Sequence, residues 1–226
     1  RLYVWDYTTD FAHYLQPHPN WYVLGPNVRF FADHQVKGLF EQGAYQSYGS
    51  EFSELRAWVL AQLLWNPKQD DQRLIDTFLN GYYGRGAAFY LRGYMDLLHR
   101  ASAGWNLTCL SKTDTSFFNF RTLAMAERLW QQAEQAVANE PDRLVRVQRG
   151  RMWLGYVWLS LWDKLRKECA DQGATWPLPA SRKAFAAQWL KRAQGEPGLP
   201  WTRVTHLNES GLTPEKFADR FASDAD

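Results

Sequence analysis

Leu2-Tyr3-Val4-Trp5-Asp6-Tyr7-Thr8-Thr9 decides the fold, read together with Lys37-Gly38-Leu39-Phe40-Glu41-Gln42-Gly43. Leu2 to Trp5 is a short run of aromatic and β-branched residues, the composition of a buried strand. Asp6 to Asp10 leaves it as a polar loop. Gln16-Pro17-His18-Pro19-Asn20 cannot be helical, because each proline fixes φ and biases the preceding residue toward extended backbone. Pro26 sits where the first turn of a helix tolerates proline. Val28, Phe30, Phe31 and Val36 give that helix an apolar side, and Gly38 is expected to end it in a left-handed cap. Leu39-Phe40 is a second short strand. A well-marked helix follows, with Ser50 as its expected N-cap, Glu51 and Glu54 at its positive end, and Phe52, Leu55, Val59 and Leu63 at helical spacing.

The order is therefore β-α-β-α. Parallel strands require such crossovers, and the unit belongs either to a barrel or to a doubly wound sheet. A strand at residue 2 has no earlier partner in this sequence. Unpaired strand edges are normally covered, so an N-terminal portion is expected upstream of Arg1.

The remainder reads as helical. Asn66-Pro67 closes the Ser50 helix, and Asp70-Asp71 caps another that runs to Tyr82-Tyr83-Gly84. Helices are predicted over 87–100, 117–137 and 141–169, the last two as an antiparallel pair. Ser181 caps a helix to Leu190, and Thr213-Pro214 opens a final short one. Ser223-Asp224-Ala225-Asp226 reads as frayed. The one further strand candidate is Arg203-Val204-Thr205. Two domains are expected, an α/β part over 1–66 and an all-α part over 67–226.

Composition narrows the function. The 26 Lys+Arg nearly cancel the 24 Asp+Glu, which gives no electrostatic case for nucleic acid. No apolar run approaches the roughly 20 residues needed to span a bilayer. Cys109 and Cys169 lack partners at metal-ligand spacing, and no cofactor motif is present, so neither metal nor cofactor is expected. His13, His18 and His34 read as surface loop residues. Aromatic residues make up 16% of the chain, enough both to fill a helical core and to supply flat stacking surfaces for sugar rings.

In parallel β/α folds ligands lie at the C-terminal ends of the strands. That rule selects Trp5, Asp6 and Tyr7 after the first strand, and Glu41, Gln42 and Tyr45 after the second. Neighbouring strands lie about 4.8 Å apart, which brings Asp6 and Glu41 within reach of one ligand. Both are expected to accept hydrogen bonds from sugar hydroxyls, with the aromatic residues packing on the rings. The competing reading makes the two carboxylates ion-paired strand-end residues.

Val4-Trp5-Asp6-Tyr7-Thr8-Thr9, Phe30-Phe31 and Gly38-Leu39-Phe40-Glu41-Gln42-Gly43 with Tyr45 resemble the family catalogued as domain of unknown function 4838. So do Glu54-Leu55-Arg56, Leu63-Leu64-Trp65-Asn66-Pro67 and Tyr82-Tyr83-Gly84. The likeness covers roughly residues 1–100. It implies that the chain carries the last two β/α units of a (β/α)₈ TIM-like barrel, followed by a helical domain. It also implies a secreted, periplasmic or cell-surface bacterial protein and a glycan substrate. Some members of that family are endo-β-N-acetylglucosaminidases of glycoside hydrolase family 163, which are expected to use the substrate's own acetamide as nucleophile. By that likeness the catalytic carboxylates lie upstream of Arg1, the chain by itself is inert, and Asp6 and Glu41 contact substrate, beside the Trp5, Tyr7, Gln42 and Tyr45 that the strand-end rule selects. The alternatives are a non-catalytic carbohydrate-binding module and a helical interaction protein.

Overall fold

The computed structural model describes residues 1–223; Asp224, Ala225 and Asp226, part of the frayed tail read from sequence, lie outside the described residues. Strand β1 (Tyr3–Tyr7) pairs in parallel with β2 (Gly38–Gln42), and helix α1 (Leu24–Asp33) forms the crossover between them. The register sets Tyr3 opposite Gly38, Trp5 opposite Phe40, Asp6 opposite Glu41 and Tyr7 opposite Gln42. Thr8 N–H donates to the Gln42 carbonyl at 3.0 Å, carrying the ladder one step past the strand end.

Gly38 is not a helix cap. α1 ends at Asp33, and Gln35 takes the left-handed turn at φ 59°. Glycine is needed at 38 for space: a Cβ there would lie 2.6 Å from Cδ1 of Tyr3, whose ring crosses the neighbouring strand.

Helix α2 (Ser53–Trp65) also starts differently from the sequence expectation. Its N-cap is Phe52, in left-handed backbone at φ 46°, with no side-chain cap bond. Ser50 is instead buried, and its Oγ donates to the Tyr14 carbonyl at 3.1 Å. The unusual backbone places the Phe52 ring in the centre of the molecule, 4.6 Å from Trp153. Trp153 in turn stands edge-on to Trp130 at 5.5 Å and donates its indole N–H to the Gly49 carbonyl at 2.9 Å. Gly49 has φ 97°, and a Cβ there would meet Val204 Cγ2 at 2.7 Å. An aromatic core thus fixes the start of α2 against the chain that leaves β2.

The remaining helices build outward from that core. They are α3 (Asp71–Tyr83), α4 (Arg85–Ala101), α5 (Phe120–Ala136), α6 (Pro141–Ser160), α7 (Trp162–Asp171), α8 (Arg182–Ala193) and α9 (Pro214–Ala218). Asp70, Ser181 and Thr213 cap as their sequence positions predict, each accepting from backbone N–H groups. The helix expected over 141–169 is broken at Leu161 into α6 and α7. Arg203-Val204-Thr205 is not a strand: Val204 N–H donates to Ala193 O at 2.8 Å and Thr205 Oγ1 to Gln46 O at 3.1 Å, ties that pin the segment in the loop after β2 and beside α8. One buried apolar cluster among the described residues runs from Phe11 to Phe221.

Candidate functional site

Alternation along the two strands sorts the strand-end residues onto opposite faces. Leu39 packs toward the helical core, while Tyr3, Trp5 and Phe40 are 65%, 62% and 54% exposed. These aromatic residues form an open face on the side of the sheet away from α2. Trp5 is held there rather than loose. Its Nε1–H donates to Gln42 Oε1 at 2.8 Å, and its ring meets Phe40 edge-on at 4.7 Å and 61°.

Asp6 and Glu41 sit beside each other in register on the other face. Glu41 lines a cleft of roughly 90 Å³ with Thr8, Thr9, Ser50, Glu51 and Arg56. Burial, with Asp6 adding like charge, pushes its carboxyl up to about 7. Its Oε1 is buried without a hydrogen-bond partner among the described residues. Tyr7 leans toward Phe11, edge-on at 5.5 Å. Tyr45 is exposed and donates to Glu209 Oε1 at 3.2 Å.

The six residues selected from sequence therefore do not share one hollow. Trp5 and Gln42 make one platform, Asp6 and Glu41 lie behind it, and Tyr45 is engaged with the C-terminal segment. Consecutive strand residues such as Trp5 and Asp6 point to opposite sides, and a cluster contiguous in sequence is divided by that two-residue period.

Beneath the strand ends lies a buried polar hub that sequence reasoning missed. Arg56 and Glu51 are 3% and 1% exposed. Arg56 Nη2 reaches Glu51 Oε2 at 2.7 Å and the His18 carbonyl at 2.6 Å, its Nη1 donates to the Glu51 carbonyl, and its Nε donates to Asn20 Oδ1 at 3.0 Å. Asn20 Nδ2 passes the link on to the Thr8 carbonyl at 3.1 Å. The loop between β1 and α1 is thus tied through Arg56 to the start of α2. A signal for this is present in the sequence: position 56 falls on the same helical stripe as Phe52, Leu55, Val59 and Leu63, and an arginine there must be paired.

Two of the three histidines depart from the surface reading. His18 is buried, and burial with the nearby Arg56 charge pushes its imidazole down to about 3, so it is neutral. His13 Nδ1 lies 2.7 Å from Tyr156 Oη, tying the same loop to α6. His34 is exposed at the end of α1.

Asp10 is fully buried, and burial raises its carboxyl from the ordinary range to about 7 despite hydrogen bonds from backbone N–H groups. The folded state therefore holds this proton more tightly than the unfolded chain. Its contribution to stability falls as pH rises from about 4 to about 7. Over that window Asp10→Asn is expected to lose less stability than the parent, by an amount on the order of a few kcal/mol. Urea unfolding at pH 4.5 and 7.5 checks this; parallel losses in the two proteins would contradict it.

Residues 1–96 match the model of the family described as Domain of unknown function (DUF4838). No curated protein and no solved structure matches the chain. Among the described residues no helix is long and apolar enough to cross a membrane.

Proposed function

We propose that the chain is part of a glycoside hydrolase acting on N-acetylhexosamine-containing glycans, and that its two β/α units are the last two of a (β/α)₈ barrel. The single observation that carries this reading is Trp5. A solvent-facing indole braced by Gln42 and Phe40, two residues short of the C-terminal end of a parallel strand, is what a sugar ring stacks on. In the barrel reading the face carrying Trp5, opposite the one packed on α2, turns toward the barrel axis, with Trp5 in the layer nearest the mouth, where ligands bind. Further strands pair with the two open edges, which two strands alone cannot satisfy. The match of residues 1–96 to the domain of unknown function family accords with it. The reacting carboxylates then belong to strands other than β1 and β2, and the protein acts outside the bacterial cytoplasm.

A second reading, a carbohydrate-binding module without hydrolytic activity, is favoured by one feature. Asp6 and Glu41 lie on the face away from Trp5, so the described strands bring no carboxylate pair to the platform. Incubating the full protein with chitooligosaccharides and with their N-deacetylated counterparts separates the cases. Cleavage that requires the acetamide is the expected result. Binding without cleavage supports the module, and neither binding nor cleavage removes both readings.

A further inference from the structure

A cleft of about 510 Å³ opens beside the C-terminal end of β1, on the side of α1. Its walls come from three places far apart in sequence: Asp6 and Tyr7 at the strand end, His18 and Asn27 around the start of α1, and Trp105 and Asn106 from the connection between α4 and α5. The volume lies within the roughly 300–1,000 Å³ of small-molecule sites.

The walls are held in place. Phe11 N–H donates to the Cys109 carbonyl at 2.7 Å, which fastens the α4–α5 connection to the segment after β1. Trp105 is 44% exposed, and its ring rests edge-on against buried Phe117 at 6.1 Å and 64°. The Arg56 hub fixes the loop carrying His18, through the His18 carbonyl.

The hydrogen-bonding capacity of these walls is largely uncommitted. Asp6 Oδ1 accepts from the Tyr7 N–H at 2.8 Å, which leaves Oδ2 for a ligand. The side-chain amides of Asn27 and Asn106, the Trp105 indole N–H and the His18 ring make no hydrogen bond within the protein among the described residues. Paired donor and acceptor groups on amides, beside a half-exposed indole, suit hydroxyl and acetamide groups on a ring. Charge narrows the ligand further. No Lys or Arg lines the cleft, Asp6 faces into it, the His18 imidazole is neutral, and His99 is the other histidine in the wall. An anionic sugar would meet the Asp6 carboxylate with no Lys or Arg beside it.

We propose that this cleft is a second sugar subsite, for a neutral, hydroxyl-rich unit of the glycan, and that the helical part of the chain completes it through Trp105 and Asn106. The inference rests on the glycan reading of the Trp5 platform.

Binding of tetra-N-acetylchitotetraose to the full protein, followed by calorimetry, tests it. Trp105→Ala is expected to weaken binding about tenfold, the scale of one lost ring contact. Asn27→Ala, an exposed change without a packing role, is expected to weaken it in the same direction with an unaltered thermal midpoint. A hyaluronan tetrasaccharide, which carries carboxylates, is expected to bind at least tenfold more weakly than the chitotetraose. If Trp5→Ala weakens binding while Trp105→Ala and Asn27→Ala both leave it unchanged, the second subsite is wrong and the glycan reading stands. If the charged tetrasaccharide binds as tightly as the neutral one, the assigned ligand class is wrong. If the parent protein binds neither sugar, the glycan reading fails and the subsite fails with it.

Discussion

Arg56→Ala is expected to destabilise the protein by about 3–5 kcal/mol, the scale for leaving one partner of a buried pair uncompensated. Against a total stability of roughly 5–15 kcal/mol, that is enough to unfold a substantial fraction at moderate temperature. Three things are lost together. Glu51, 1% exposed, loses the guanidinium that works against burial, which already raises its carboxyl to about 7. The His18 carbonyl and Asn20 Oδ1 lose their donor. The loop from His18 to Asn20 then has only its remaining ties, among them Asn20 to the Thr8 carbonyl. Denaturant unfolding gives the magnitude. The double change Glu51→Leu with Arg56→Met is expected to cost less than Arg56→Met alone, because it removes the orphaned buried carboxyl along with its partner. A double variant less stable than the single would show that the hub is held by something other than this pair.

Trp5→Ala is expected to weaken glycan binding by about 2 kcal/mol or more, roughly thirtyfold, with little change in stability. The asymmetry follows from exposure. Trp5 is 62% exposed and stands outside the buried apolar cluster, so its truncation opens no cavity there, whereas a sugar stacked on it would lose most of its apolar contact. Gln42→Ala is expected to act in the same direction and more weakly, since it frees the indole by removing the 2.8 Å brace without removing the ring. Calorimetric titration with chitooligosaccharide and a thermal melt of each variant separate binding from folding. A Trp5→Ala protein that binds normally would remove Trp5 from the site.

The strands are legible in the sequence because Leu2 to Trp5 and Leu39-Phe40 are short apolar runs bounded by polar turns, and because proline rules out helix between 16 and 20. The caps Asp70, Ser181 and Thr213 are legible for a similarly local reason, a side chain bonding backbone two or three residues on. What is not legible depends on tertiary ties. Ser50 looks like a cap by position but serves the Tyr14 carbonyl. Gly38 looks like a helix stop, yet it makes room for Tyr3. Arg203 to Thr205 has strand composition but finds its partners in a loop and a helix end.

The candidate site is half legible. The strand-end rule selects residues that the parallel pairing does set side by side, with Asp6 opposite Glu41. It does not divide them between faces, although the two-residue period needed to do so is available from the same six positions. His18, Asn27 and Trp105 belong to one cleft only because the chain after α4 returns to the end of β1, and no local pattern announces that return. Arg56 is the exception. Its place on the inward stripe of α2 is itself a mark of burial, and burial of an arginine demands the partners it has.

The most direct test of the account is a ¹⁹F spectrum of the full protein labelled with 5-fluorotryptophan, recorded during titration with N,N′-diacetylchitobiose. The Trp5 resonance is identified by its disappearance in Trp5→Phe. The account predicts that this resonance moves and saturates with the sugar, while the fully buried Trp130 and Trp153 stay in place. A Trp5 signal that remains fixed at saturating sugar would contradict it.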